Sequence, residues 1–300
     1  MVSHFASAAF PTELIAEPAW LNLRTLRQQA QRLPEVPTGL TRDEALQRAI
    51  ACLDLTSLSP TDTSAHIEAL CKSAQAPLLT VPQLHTAAVC VTPRHVQLAV
   101  ELLAGTDICV ASVAGTFPGG NASAVQKARE AEAAVANGAQ EIDLIIDHRA
   151  LRAGRRRLIW QELTQVRVAI GDVRLKVIVE SGLLTLRQLE VASRLSLAAG
   201  ADFLKTSTGT IDPGATAIAT LGLAHAAAIW QQRTGKQVGV KPSGGLRSSG
   251  RALRLMAAVS EVLGTQALHP GRMRLGASGL LGIIDKELQG ESEAVTNSSY

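Results

Sequence analysis

Aromatic side chains are scarce in this chain: one tyrosine, four phenylalanines and three tryptophans in 300 residues. Its interior must therefore be filled by Ala, Gly, Val, Leu and Ile, as where helices pack closely on a parallel sheet. No apolar run approaches the ~18 residues of a membrane span. Basic runs are equally short. Net charge is +3, and the densest cluster, Arg155-Arg156-Arg157, is too small for a nucleic-acid surface and suits a solvated helix start. The four cysteines, Cys52, Cys71, Cys90 and Cys109, are widely spaced and form no CxxC pair. Three of them lie in or beside apolar strand-like runs, so a reduced, cytoplasmic protein is expected. The seven histidines are scattered without HExxH or a carboxylate cluster, which argues against a metal centre. No GxGxxG follows the first strand, so no nicotinamide or other cofactor is expected. The opening MVSHFASAAF lacks the basic and apolar regions of a secretory signal.

What is abundant is alternation. With 46% hydrophobic and 18% charged residues, the chain suits one soluble domain with a substantial core. Eight short runs of apolar or β-branched residues read as strands buried on both faces: 51–55, 88–91, 108–113, 141–146, 175–179, 202–206, 237–241 and 273–277. Helical patterns lie between them. Ala124, Ala128, Ala131 and Val135 recur at helical spacing until Gly138 stops them. Thr185 and Gln188 can form a capping box before a helix that Gly200 ends. Eight such units predict an α/β fold, a (β/α)8 TIM barrel over residues 46–287. A doubly wound open sheet is the rival, and strand count favours the barrel. Residues 1–45 form an N-terminal extension with one amphipathic helix around Trp20–Arg32, offering Leu21, Leu23 and Leu26 to the barrel. Residues 288–300 are polar, lack periodicity and read as a flexible tail.

In a parallel barrel, functional groups project from the C-terminal strand ends. Asp143, Lys176, Lys205 and Lys241 each interrupt an apolar run near such an end. A single lysine there is ordinarily a snorkelling or salt-bridged residue. Three on successive strands, facing an acid from the strand before, make a cluster that must pair or do chemistry. Schiff-base chemistry suits it. A free amine is protonated near neutrality, and desolvation beside a second ammonium lowers its pKa. Lys205 is taken as the nucleophile, Lys241 as the group depressing its pKa, Asp143 as proton relay, and Lys176 as part of the charge network. Spacing alone does not decide which lysine attacks. Two glycine-rich loops, Lys241-Pro242-Ser243-Gly244-Gly245-Leu246-Arg247 and Gly276-Ala277-Ser278-Gly279, follow the seventh and eighth strands, where such barrels bind phosphate. Gly244, Gly245, Arg247, Gly276 and Ser278 are the candidates.

These segments carry a resemblance. Asp54-Leu55-Thr56-Ser57-Leu58, Ala88-Val89-Cys90-Val91, Glu141-Ile142-Asp143, Leu175-Lys176-Val177-Ile178, the run Asp202 to Gly209, Gly239 to Gly245 and Arg274 to Ser278 resemble, in order, the motifs of the deoxyribose-phosphate aldolase family. The resemblance implies cleavage of 2-deoxy-D-ribose 5-phosphate to D-glyceraldehyde 3-phosphate and acetaldehyde, with Lys205 forming the imine and Asp143 and Lys241 assisting. Asp54 joins Lys176 in the supporting charge network, Gly209 joins the phosphate loops, and Cys90 and Thr208 line the substrate pocket. The terminal tyrosine of the family, here Tyr300, helps abstract a proton. Partners are then a sugar phosphate and aldehydes, with no nucleic acid and no membrane; a homodimer stays open as the assembly.

The chain also departs from the family. Thr210 stands where many members have a phosphate-binding lysine, and Gly279 where a second serine is common. A weaker preference for phosphorylated substrates is expected. Two other readings stay open: another Schiff-base barrel lyase or transaldolase acting on a larger ketose phosphate, and a non-catalytic sugar-phosphate-binding barrel.

Overall fold

The computed structural model describes residues 9–76, 81 and 83–290. Two helices, α1 (Thr12–Ala16) and α2 (Leu23–Arg32), come first, and α3 (Arg42–Ala51) leads into the repeat. The repeat runs β1 (Leu53–Ser57), α4 (Ser64–Gln75), β2 (Ala88–Val91), α5 (Val96–Leu102), β3 (Cys109–Ala114), α6 (Ala124–Ala136) and β4 (Glu141–Ile145). It continues through α7 (His148–Arg152), α8 (Arg156–Ile170), β5 (Arg174–Ile178), α9 (Leu186–Ala198), β6 (Phe203–Lys205) and α10 (Ala217–Thr234). It ends with β7 (Gly239–Lys241), α11 (Ser249–Leu263), β8 (Leu275–Ala277) and α12 (Leu280–Leu288).

The strands are parallel and ordered β7-β6-β5-β4-β3-β2-β1-β8. Bridges Val240–Met273 and Ser243–Gly276 join the two ends of that order. Across this seam the Arg274 N–H donates to the Val240 carbonyl at 3.1 Å, and the Gly276 N–H to the Pro242 carbonyl at 2.9 Å. The result is a (β/α)8 TIM barrel, as expected. Along β4 the pleat sends Ile142 and Leu144 into the apolar layer under the helices, whereas Asp143 between them faces the ring. Among the described residues no helix is long and apolar enough to cross a membrane.

Local signals in the sequence set the ends of these helices. Thr185 and Gln188 do form the capping box of α9, and Ser123 with Gln126 forms another on α6. Gly138 and Gly200 sit at φ +99° and +89° after α6 and α9. The next residue in each case, Ala139 or Ala201, donates to the carbonyl five residues back, at 3.0 and 2.9 Å. That pairing is the glycine-terminated helix stop, and it explains why the two junctions look alike in sequence.

Differences lie at strand starts and outside the barrel: β7 and β8 begin at Gly239 and Leu275, each two residues later than the runs 237–241 and 273–277. The first strand starts at Leu53 rather than Ala51, because α3 runs on through Ala51. Residues 9–45 hold α1 as well as the expected α2, whose start is Leu23 with Asn22 capping it. Leu21, Leu26 and Leu33 pack on Leu221, Ala257 and Ala258 of α10 and α11, but Leu23 is 39% exposed and does not join them. Arg194 on α9 anchors this segment: it donates to the carbonyls of Leu14 (2.8 Å), Glu17 (3.2 Å) and Pro18 (2.5 Å), and stacks on Trp20.

Candidate active site

Inside the ring, a carboxylate on β4 gathers three amines. Asp143 accepts from Lys176 on one oxygen (2.9 Å) and from both Lys205 (2.7 Å) and Lys241 (2.6 Å) on the other. Register brings this about. Asp143 pairs with Lys176 across β4–β5, Lys205 pairs with Lys241 across β6–β7, and the β5–β6 register sets the second pair two positions beyond the first, so inward-facing positions of four strands converge on Asp143. A second ring of charge supports the first. Lys176 also bonds Asp54 (3.0 Å) and Glu141 (2.5 Å), Lys241 bonds Asp54, and Arg274 on the approach to β8 bonds Asp54 and Glu141. All seven side chains are fully buried or within 2% of it.

Three buried carboxylates therefore face four buried cationic side chains, Lys176, Lys205, Lys241 and Arg274, with the partly exposed Arg174 reaching Glu141 from outside. An unmatched buried charge is expensive, and the cheapest relief is to discharge the cation with the weakest support. Among the described residues Lys176 has three carboxylate partners, Lys241 and Arg274 have two each, and Lys205 has only Asp143. Burial accordingly lowers the Lys205 pKa, against the pull of Asp143 and with help from the Lys241 ammonium. Of the two causes expected from sequence, desolvation and the Lys241 ammonium, desolvation is the larger. Burial works the same way on Lys176 and Lys241, but Asp143 and Asp54 outweigh it and hold both above the ordinary lysine value. Burial likewise opposes ionisation of Asp143, yet the three lysines keep its carboxyl well below the usual range.

A cavity of about 700 Å³ opens at the C-terminal ends of the strands. Of the three lysines, Lys205 is the one that lines it. Thr208, Gly209, Gly244, Gly245, Arg247, Gly276 and Ser278, each expected from sequence, line it too. Glycine is required at two of these points. A Cβ on Gly244, where φ is +85°, would sit 2.8 Å from the Gly209 Cα, and one on Gly276 would sit 2.5 Å from the Ser243 hydroxyl. The loops after β6 and β7 thereby approach backbone to backbone, and Gly276 in β8 leaves room for the Ser243 side chain. The N-terminus of α12 opens onto the same space through Ser278 and Gly279, and no side chain among the described residues caps it. By contrast, Ser248 caps α11 itself. Free helix-end N–H groups beside Arg247 favour an anion.

Cys90 is the expectation that moves. It is fully buried beneath the cavity with its sulfur 3.9 Å from Asp143, does not line the space, and burial pushes its thiol up to about 11. An apolar floor with Leu58 and Phe117 explains the placement. Tyr300 lies outside the described residues. Three groups were given no role from the sequence: Arg274, Glu141 and Glu180. Arg274 interrupts an apolar strand run, as Asp143 does, whereas Glu141 opens one and Glu180 directly follows one.

Kinship agrees with this geometry. The family model described as DeoC/LacD family aldolase matches residues 48–281. Deoxyribose-phosphate aldolase of Homo sapiens is 39% identical over 255 residues, covering 81% of this chain and 80% of the human one. That of Bos taurus is 38% identical over the same span and shares. The crystal structure of a candidate deoxyribose-phosphate aldolase from Coccidioides immitis superposes with a TM-score of 0.71 at 29% identity, covering 89% of this chain and 98% of the other. The family match spans the whole strand repeat and includes every charged residue gathered in the ring, so the chain belongs to the DeoC/LacD family of aldolases.

Proposed function

We propose that this chain reversibly cleaves 2-deoxy-D-ribose 5-phosphate to D-glyceraldehyde 3-phosphate and acetaldehyde through an imine on Lys205. The observation carrying the reading is that Lys205 is the least-compensated cation of a buried network and also its opening onto the cavity. A neutral Lys205 amine adds to C1 of the open-chain aldehyde, and loss of water leaves an iminium. The iminium places a positive charge beside the Asp143 carboxylate, which stabilises it and lets it draw in the electron pair of the breaking C2–C3 bond. Removal of the C3 hydroxyl proton breaks the C2–C3 bond and releases glyceraldehyde 3-phosphate, with the electron pair held as an enamine. Protonation at C2 and addition of water return acetaldehyde and free Lys205. Asp143 and Lys241 pass protons at the carbinolamine and imine stages, a reading supported by the one Asp143 oxygen that accepts from both Lys205 and Lys241. The phosphate is received by Gly209, Gly244, Gly245, Arg247, Gly276, Ser278 and the α12 N-terminus. Tyr300 is proposed, from the family resemblance, to assist proton transfer at C2. Such a chain would serve the breakdown of deoxyribose phosphates.

Borohydride trapping with acetaldehyde, followed by peptide mass spectrometry, tests the reading. An ethyl adduct on Lys205 that is lost in Lys205→Leu is expected. An adduct on Lys176 or Lys241 would reassign the nucleophile, and none at all would reject Schiff-base chemistry.

A further inference from the structure

Glu180 follows the last residues of the fifth strand run in an unusual state. Its backbone is left-handed at φ +55°, a conformation that disfavours any side chain with a Cβ, and no part of it reaches solvent. Among the described residues one carboxylate oxygen has no partner. The other accepts from the Thr208 hydroxyl at 2.7 Å and the Thr208 N–H at 3.3 Å. Thr208 in turn shares a 2.9 Å hydroxyl contact with Thr210 and accepts from the Thr210 N–H at 3.3 Å. Thr210 is exposed and lines the cavity. A buried carboxylate is thus connected to the cavity wall by two hydroxyls.

Each threonine has one hydroxyl hydrogen, so the line has a direction. With Glu180 ionised, Thr208 must donate to the carboxylate. Thr210 then donates inward to Thr208 and shows only lone pairs to the cavity. An anion finds no donor there. With a proton on Glu180 the line reverses: the carboxylic acid donates to Thr208, Thr208 to Thr210, and the Thr210 hydrogen turns outward. We infer that Glu180 is a specificity-determining positioning residue whose protonation, through Thr208, decides whether Thr210 offers a donor or an acceptor to the distal end of the substrate. Accordingly an anionic, phosphoryl end binds beside Thr210 with uptake of one proton, and a neutral hydroxyl end binds without it. This rests on the aldolase reading of the cavity. Burial pushes the Glu180 carboxyl up, opposed by its bonds to Thr208 and by Lys205, the charged group acting on it from β6. The unpaired oxygen points the same way, since an unsatisfied buried oxygen costs more when charged.

Sulfate is the suitable probe, because it carries the charge of a phosphoryl group but does not titrate between pH 5 and 9. Its Kd is measured by calorimetry across that range in the full-length chain and in Glu180→Gln and Thr210→Val. Uptake of one proton makes the wild-type Kd rise by about tenfold per pH unit above the carboxyl's titration, in addition to any slope the variants retain. Both variants are expected to lose that extra slope. Thr210→Val changes an exposed residue and keeps the test open if Glu180→Gln fails to fold. Equal slopes in all three chains, persistence of the slope in Thr210→Val, or no sulfate binding by any of them overturns the proposal. Acetaldehyde trapping on wild-type Lys205 is run alongside, so that failure of the aldolase reading is seen separately.

Discussion

Replacing Lys241 by methionine removes the ammonium nearest Lys205 while keeping the length of the chain that fills the ring. Both amines bond the same Asp143 oxygen, at 2.7 and 2.6 Å, which places them within about 5 Å of each other. At an effective dielectric of about 20, like charges at that distance repel by ~3 kcal/mol. Losing that repulsion, and leaving Asp143 with one amine fewer, both favour a protonated Lys205. The protonation equilibrium should move by about 10²-fold, since each 1.36 kcal/mol is a factor of ten. In the proposed mechanism the nucleophile is the neutral amine, so activity is expected to rise with pH as Lys205 loses its proton. Lys241→Met should move that rising limb of kcat/KM to higher pH, with a loss of about 10²-fold at pH values below it and partial recovery above. The assay is acetaldehyde release from deoxyribose 5-phosphate over a pH series, paired with the pH dependence of borohydride trapping. A uniform drop with the limb unmoved would mean that Lys241 only transfers protons, and the electrostatic argument would be refuted.

Three further outcomes follow from other parts of the structure. Thr210→Lys should raise kcat/KM for deoxyribose 5-phosphate relative to deoxyribose by about tenfold or more, the value of a charge-assisted hydrogen bond; no gain in the ratio rejects the importance of a cation at that position. Glu141 is buried, and although desolvation opposes it, Lys176 and Arg274 hold its carboxyl at about 2 against an ordinary value of 4.5. Its stabilisation is therefore complete above pH 4.5 and disappears as pH falls toward 2, a loss on the order of 3 kcal/mol. Glu141→Gln should be less stable at neutral pH and show a shallower decline in urea midpoint over that window; parallel declines would contradict this. Arg194→Leu should cost about 1.5–3 kcal/mol, because it frees the Leu14, Glu17 and Pro18 carbonyls and leaves buried Glu190 with the Arg187 guanidinium and the Leu21 N–H. A loss under about 1 kcal/mol in a urea melt would show that the N-terminal segment is not anchored through this residue.

The strand repeat was readable from sequence because burial on both faces forces near-continuous apolar runs, and any charge within one stands out. Asp143, Lys176, Lys205 and Lys241 were found in that way, and glycine stops such as Gly138 and Gly200 marked the helix ends. The first strand was misjudged by two residues because Ala51 and Cys52 suit a helix end as well as a strand start. Only the closed ring could assign partners. Strand register and stagger decide that Lys176 meets three carboxylates and Lys205 one, and that difference makes Lys205 the amine free to lose its proton. Register likewise brings Arg274 and Glu141, 133 positions apart, into one network, and puts Cys90 below the cavity instead of in its wall. Local pattern fixes which residues are buried, but what a buried charge does depends on its neighbours across strands, and those are set by long-range packing.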